Sequence, residues 1–160
     1  MTATRLEEAY RAHADELVRY ATAMVGPERA GDVVTDAFLT VFESESDRDI
    51  EHLRAYLFRA VYHRAVDLGR SRDRRQAREE RDAHERLRLA PPPGVAESQI
   101  AIDARRSLSV LTDQQRAAVF LTYWCDLPPG EVAELLGVRS GTVKKQLSRA
   151  RSKLREVLDV

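Results

Sequence analysis

The sequence predicts an all-α fold: two small helical domains joined by a flexible linker. Three observations carry this reading. Apolar residues recur at spacings of three and four through most of the chain, the period of a helix with one buried face. Nowhere do they alternate as in a half-buried strand. The periodicity lapses once, between Ser71 and Glu97, in a charged stretch containing Pro91-Pro92-Pro93-Gly94. Proline lacks an amide donor and clashes with the preceding helical turn, so no helix passes through this run. The Pro-rich centre is stiff, which predicts that it spaces the halves apart as well as tethering them. A length of 160 residues suits one ordinary domain or two small ones. The expected division is 1–75, a linker over 76–103, and 104–160.

The elements follow in order. A first helix runs from Leu6 to Val25, with Leu6, Tyr10, Leu17, Val18, Ala21 and Met24 along its apolar side, and Gly26-Pro27 stops it. A second spans Glu28 to Phe42, its apolar set being Val33, Val34, Ala37, Phe38, Val41 and Phe42. A loop rich in Ser, Asp and Glu covers Glu43 to Ile50. The third helix, from about Glu51 to Arg70, turns Leu53, Tyr56, Leu57, Ala60, Val61, Ala65 and Leu68 inward. Its outer side carries Arg54, Arg59, Arg64 and Arg70. Past the linker, helical signal resumes from Ser98 to Val110. Thr112 and Gln115 have the spacing of a capping box, and the helix they open carries Ala118, Val119, Leu121 and Tyr123. Leu127-Pro128-Pro129-Gly130 turns the chain into two last helices, Glu131 to Leu136 and about Gly141 to Leu158.

Composition narrows the function. Hydrophobic residues make up 43% and charged residues 32%, the balance of a folded, soluble chain. The formal net charge is +0, which argues against a nonspecific nucleic-acid coat, basic throughout. The charge is nevertheless segregated, with acid around Glu43 to Glu51 and base from Arg59 to Arg81 and from Arg139 to Arg155. Such opposed patches suit a protein that meets DNA on some faces and other surfaces elsewhere. Cys125 is the one cysteine, so there is no internal disulfide, and it reads as a half-buried thiol beside Trp124. His13, His52, His63 and His84 are scattered, whereas a metal site needs clustered ligands. There is no phosphate-cradling glycine loop and no His-Glu-x-x-His. The reading is therefore a non-enzyme without metal or cofactor. The longest apolar run, Ala117 to Cys125, is far short of the ~20 residues that cross a bilayer. Met1 to Glu8 lacks the apolar core of a signal peptide. A cytoplasmic protein without membrane insertion is expected.

The segment Pro129 to Leu147, PGEVAELLGVRSGTVKKQL, has the spacing of a helix-turn-helix. Ala133 is small where a second helix crosses closely, and Gly137 supplies the left-handed backbone of the turn. Val143 packs back onto the first helix, beside Val132, Leu135, Leu136 and Leu147. Ser140 suits an N-cap. Val143, Leu147, Leu154 and Leu158 are expected to face in. Arg139, Ser140, Thr142, Lys144, Lys145, Ser148, Arg149 and Ser152 are then available to DNA, the early ones to base edges. Arg151, Lys153 and Arg155 lie later and suit phosphates.

These motifs bring a family into view. Leu111 to Leu158 resembles domain 4 of extracytoplasmic-function sigma factors. The match rests on Leu111, Gln115, Arg116 and Leu121, on Glu131 to Gly137, and on Gly141 to Leu154. Tyr10 to Gly26, Asp32 to Leu39, and Arg54 to Arg59 followed by Ala65-Val66-Asp67 resemble successive segments of domain 2. Two positions depart from the family's pattern: His63 stands where Asn is common, and Thr35 where Gln is usual.

The resemblance implies a division of labour. Domain 4 would read a duplex −35 element through its last helix and meet the flap of the polymerase's second-largest subunit. Asp32, Thr35, Asp36, Phe38 and Leu39 would dock on the clamp helices of the largest subunit of core RNA polymerase. Arg54, Tyr56, Phe58, Arg59, Tyr62, His63, Arg64 and Arg70 would face the −10 element and its melted strand, which calls for basic and aromatic surface. The linker would lie near the RNA-exit path. Promoter DNA and an anti-sigma factor are the other implied partners. An operator-binding regulator is permitted by the C-terminal half alone, and co-purification with core polymerase discriminates the two. A pure interaction adaptor would not need the basic last helix.

Overall fold

The computed structural model describes residues 3–44, 52–78 and 99–158, and within them every regular element is helical. The first three helices are α1 (Ala3–Val25), α2 (Pro27–Ser44) and α3 (Leu53–Arg78). They form a bundle because each offers one apolar stripe. Leu17, Tyr20, Ala21 and Met24 of α1 meet Val33, Val34, Ala37 and Val41 of α2 and Leu57, Phe58, Val61 and Ala65 of α3, all buried. Burying a large aliphatic or aromatic side chain contributes about 1.5–3 kcal/mol. The break between α1 and α2 is local chemistry. Gly26 takes φ 87°, a backbone that only glycine adopts without penalty, and its amide closes onto the Thr22 carbonyl at 2.9 Å. Pro27 then opens α2 where its missing donor costs nothing.

The C-terminal half comprises α4 (Gln99–Ser109), α5 (Asp113–Val119), α6 (Pro129–Leu136) and α7 (Ser140–Leu158). The capping box forms in both directions: the Gln115 amide donates to Thr112 Oγ1 at 3.2 Å, and the Thr112 amide donates to Gln115 Oε1 at 3.1 Å. The helix it opens does not stay α-helical. Phe120–Trp124 form a π-helical turn, closed by the Cys125 amide on the Phe120 carbonyl at 3.2 Å. Helix α6 begins two residues before the expected Glu131, since Pro129 is tolerated in a first turn.

Four side chains lie differently from expectation. Tyr10 is half exposed at the bundle edge, its ring 5.2 Å from that of Phe38. Val18 and Tyr56 also reach the surface, and Leu158 is exposed at the end of α7, beyond the core. The larger difference concerns the two halves, which touch instead of standing apart. The Tyr20 and Phe120 rings lie 5.3 Å apart, and buried residues of both halves belong to one continuous core. Apolar surface left on α1, α3, α5 and α6 is covered by this contact. The acidic stretch over 45–51 and the proline run fall outside the described residues.

Candidate nucleic-acid interface

The helix-turn-helix is built by its turn. Gly137 caps α6 at φ 67°, ψ 33°. Its amide bonds to the Glu134 carbonyl at 3.3 Å, and the Val138 amide bonds to the Ala133 carbonyl at 3.0 Å. This pairing satisfies two of the last carbonyls of α6 and turns the chain sharply. The Thr142 and Val143 amides both reach the Arg139 carbonyl, at 3.0 and 3.2 Å. Arg139 is therefore the cap residue of α7 and Ser140 its first helical residue, one position from expectation. Val143, Leu147 and Ala150 face the core, and Ala133 lies buried in it.

With that seam fixed, the other side of α7 is set. Arg139, Ser140, Lys144, Lys145, Ser148, Arg149 and Ser152 are exposed, and Thr142 is half-buried. Among the described residues, Arg139, Lys144, Lys145 and Arg149 make no side-chain pairing, so their charges face outward. Two later cations differ. Lys153 Nζ donates to Gln115 Oε1 at 3.0 Å and Arg151 Nη1 to the Tyr123 hydroxyl at 2.9 Å. They hold α7 against α5 and its π turn, while Arg155 is exposed and makes no such bond among the described residues. Gln146, missed in the sequence, adds to this anchor: it accepts from Gln115 Nε2 at 3.1 Å and donates to Gln114 Oε1 at 3.0 Å.

The α3 face is more mixed. Phe58 is 1% exposed, its ring 5.2 Å from that of Tyr20. It is a core residue, and the expectation that it touches a melted strand is corrected. Tyr56, His63, Arg64 and Arg70 are exposed, while Arg54, Arg59 and Tyr62 are half-buried. Arg54 Nε donates to Glu16 Oε2 at 3.0 Å, and its Nη2 to Glu16 Oε1. Its guanidinium also lies 5.1 Å from the Phe58 ring centroid. Arg59 Nη2 donates to the Glu134 carbonyl of α6 at 2.8 Å, its guanidinium 5.9 Å from the Tyr56 ring centroid. Arg64 Nε donates to Asp36 Oδ2 at 2.8 Å. Burial, then the nearby Asp113, raises the pKa of Tyr62.

On α2, Asp32, Thr35 and Leu39 are exposed and Asp36 is half-buried. Spaced at three and four, these positions form one stripe. Phe38 turns inward at 5% exposure, so it supports that stripe from beneath and the expectation that it forms part of a docking surface is corrected. Cys125 is half-buried, with a thiol pushed up to about 11 by burial and by the nearby charge of Glu16. Among the described residues there is no cluster of His, Cys, Asp and Glu able to hold a metal, and no helix is long and apolar enough to cross a membrane.

Residues 9–75 match Sigma-70 region 2, and residues 102–154 match Sigma-70, region 4. The chain is similar to the RNA polymerase sigma-E factor of Streptomyces coelicolor, 30% identical over 95% of this chain and 85% of that one. It is also similar to the extracytoplasmic-function (ECF) sigma factor SigE of Mycolicibacterium smegmatis, 28% identical over 95% of this chain; the match spans 61% of the relative's length. Its fold is that of the sigma factor RpoE solved with the anti-sigma factor NepR from Bartonella quintana. That likeness has a TM-score of 0.78 at 24% identity and covers 99% of both chains. With the helix-turn-helix, the basic α7 face and the three-helix bundle in this order, the chain belongs to the extracytoplasmic-function group of RNA polymerase sigma factors in the sigma-70 family.

Proposed function

We propose that the chain directs core RNA polymerase to a specific set of promoters, as a non-catalytic cytoplasmic subunit. Domain 4, over 104–160, reads duplex −35 DNA with Arg139, Ser140, Thr142, Lys144, Lys145, Ser148 and Arg149, and meets the flap of the second-largest subunit. Domain 2, over 1–75, places Asp32, Thr35, Asp36 and Leu39 on the clamp helices of the largest subunit. Arg54, Tyr56, Arg59, Tyr62, His63, Arg64 and Arg70 hold the melted −10 strand. The linker over 76–103 runs between them near the RNA-exit path. An anti-sigma factor holds the chain inactive, by analogy with the RpoE complex.

The observation that carries this reading is the two-sided character of α7: a buried Val143, Leu147 and Ala150 seam opposite exposed, internally unpaired Arg139, Lys144, Lys145 and Arg149. A helix of that kind, behind a Gly137 turn, presents its first residues to a major groove. Guanidinium and ammonium donors there suit guanine edges. The test is run-off transcription with purified core polymerase over a promoter library. Specific transcripts that need the protein support the reading. Sequence-specific DNA binding without transcripts or core binding would replace it with an operator-binding regulator.

A further inference from the structure

We propose that Gln146 and Lys153 are positioning residues for −35 reading: a hydrogen-bonded clamp between α5 and α7 fixes the roll of α7, and with it the choice of bases. This rests on the reading of α7 as the helix that meets the −35 element. The hub is Gln115. Among the described residues it is the one amide or charged side chain buried in the core, at 4% exposure. Its Oε1 accepts from the Thr112 amide at 3.1 Å and from Lys153 Nζ at 3.0 Å, and its Nε2 donates to Gln146 Oε1 at 3.1 Å. Two donors on one oxygen fill both of its lone pairs, so the amide can point only one way. Gln146 is oriented in turn. Its oxygen faces Gln115, which leaves its Nε2 to donate to Gln114 Oε1 at 3.0 Å.

The clamp supplies what the apolar seam lacks. Val143, Leu147 and Ala150 are buried, but hydrophobic attraction is non-directional, so the seam alone tolerates a roll or a slide. Amide hydrogen bonds do not, because their distances span a window of only about 0.5 Å. Gln146 and Lys153 share one side of α7, about two turns and about 10 Å apart along its axis. Held at both places, the helix can neither turn nor slide. Side chains reach about 5–6 Å from a helix axis, so a roll of about 20° would carry their tips by about 2 Å. Attraction to phosphates survives such a shift, whereas bonds to base edges do not. The clamp therefore governs which sequence is preferred more than how tightly DNA is held.

The test is binding of holoenzyme to consensus and scrambled −35 duplexes across a salt series, at a temperature where every variant is folded. The readout is the ratio of the two Kd values. Gln114→Ala reaches α7 only through Gln146 and leaves every bond of Gln115 in place, so it serves even where a harsher variant fails to fold. It is expected to lower the ratio at least about threefold at unchanged salt slope. Gln146→Leu removes both amide bonds and should lower it about tenfold, again at unchanged slope. Gln146→Glu still accepts from Gln115 but sets a carboxylate against Gln114 Oε1, and should also lower the ratio. Adding Gln114→Lys supplies a donor at no net change in charge, and should restore the ratio to within about twofold of wild type.

Unchanged ratios in Gln114→Ala and Gln146→Leu, equal loss on both duplexes, or a fall that the paired exchange does not restore would each overturn the clamp. A fall in Gln146→Leu with none in Gln114→Ala would show Gln146 touching a base itself, and overturns it too. The reading of α7 fails in a different way: wild-type holoenzyme would then not distinguish the two duplexes, and the variants would have no ratio to lose.

Discussion

Arg116 Nη1 and the Met24 carbonyl oxygen lie 2.8 Å apart across 92 residues of sequence. The same guanidinium donates through Nε to the Leu108 carbonyl and through Nη2 to the Leu111 carbonyl, both at 3.1 Å. Asp113 approaches at 3.6 Å. One side chain therefore ties the end of α1, the end of α4 and the start of α5. Burial lowers its pKa, and Asp113 opposes that shift.

Replacing Arg116 by methionine removes its bonds to the Met24 and Leu111 carbonyls, while the Leu108 carbonyl keeps the Leu111 amide. A buried group stripped of its bond costs about 1–3 kcal/mol, and charged donors sit at the upper end. A loss of about 3 kcal/mol is expected, read as a lower urea midpoint at unchanged slope. Arg116→Lys should recover less than half of it, because an ammonium has all its donors on one nitrogen and cannot span three separated carbonyls as a guanidinium does. Full recovery by lysine would show that charge alone matters at this position.

Phe58 and Tyr56 separate packing from recognition. Phe58 is buried against Tyr20, whereas Tyr56 is 39% exposed. Phe58→Ala should cost about 3–5 kcal/mol of stability by opening a cavity. Tyr56→Ala should stay within about 0.5 kcal/mol, as exposed substitutions usually do. In holoenzyme the ranking should invert: Tyr56→Ala slows opening of the −10 region on duplex promoters more than on a pre-melted template. Equal transcription on both templates would remove Tyr56 from the strand face.

That pair also shows where the sequence stops being legible. Helices, caps and the helix-turn-helix are local, so Thr112, Gly137 and the three–four spacing declare them. Residues two apart on a helix point about 200° from each other, so only one of Tyr56 and Phe58 can face in. Which one depends on where Tyr20 of α1 sits, and no spacing within α3 records that. The seam between the halves was hidden for a related reason. Arg59 and Arg116 bond to backbone carbonyls, and every residue type carries the same carbonyl. Gln146 likewise reads as one more polar residue of α7 until Gln114 and Gln115 are placed beside it. The π turn at Phe120–Trp124 has no residue signature, and it carries Tyr123 and Trp124 to the surface.

His13 gives a pH dependence. Burial lowers its pKa from the usual 6.5, Glu16 opposes this, and Arg54 adds to it. The folded state thus favours the neutral ring. Its contribution is present above the unfolded value and is lost as pH falls through the lower, folded one. Protonated His13 would also repel Arg54 beside the Glu16 pair. Melting temperature should therefore fall more between about pH 7.5 and 5.5 in the wild type than in His13→Gln. The difference should be small, because solvent screens a half-exposed ring. Identical pH profiles would show that titration of His13 is not coupled to folding.

Lys144 and Arg155 distinguish base reading from backbone attraction. Lys144 lies on the first turns of α7, where recognition helices meet base edges, and Arg155 lies three turns later; both are exposed. Lys144→Ala should weaken binding to the preferred −35 sequence by about 1–3 kcal/mol and leave weak sites nearly unchanged. Arg155→Ala should weaken all sequences alike and reduce the salt slope by about one ion, because a phosphate contact releases a counterion whatever the base. The measurement is binding of holoenzyme to consensus and scrambled −35 duplexes across a salt series. Specific loss from Lys144→Ala with uniform, salt-linked loss from Arg155→Ala fixes the orientation of α7 in the groove. Uniform losses from both would mean that α7 lies along the backbone and that another element reads the bases.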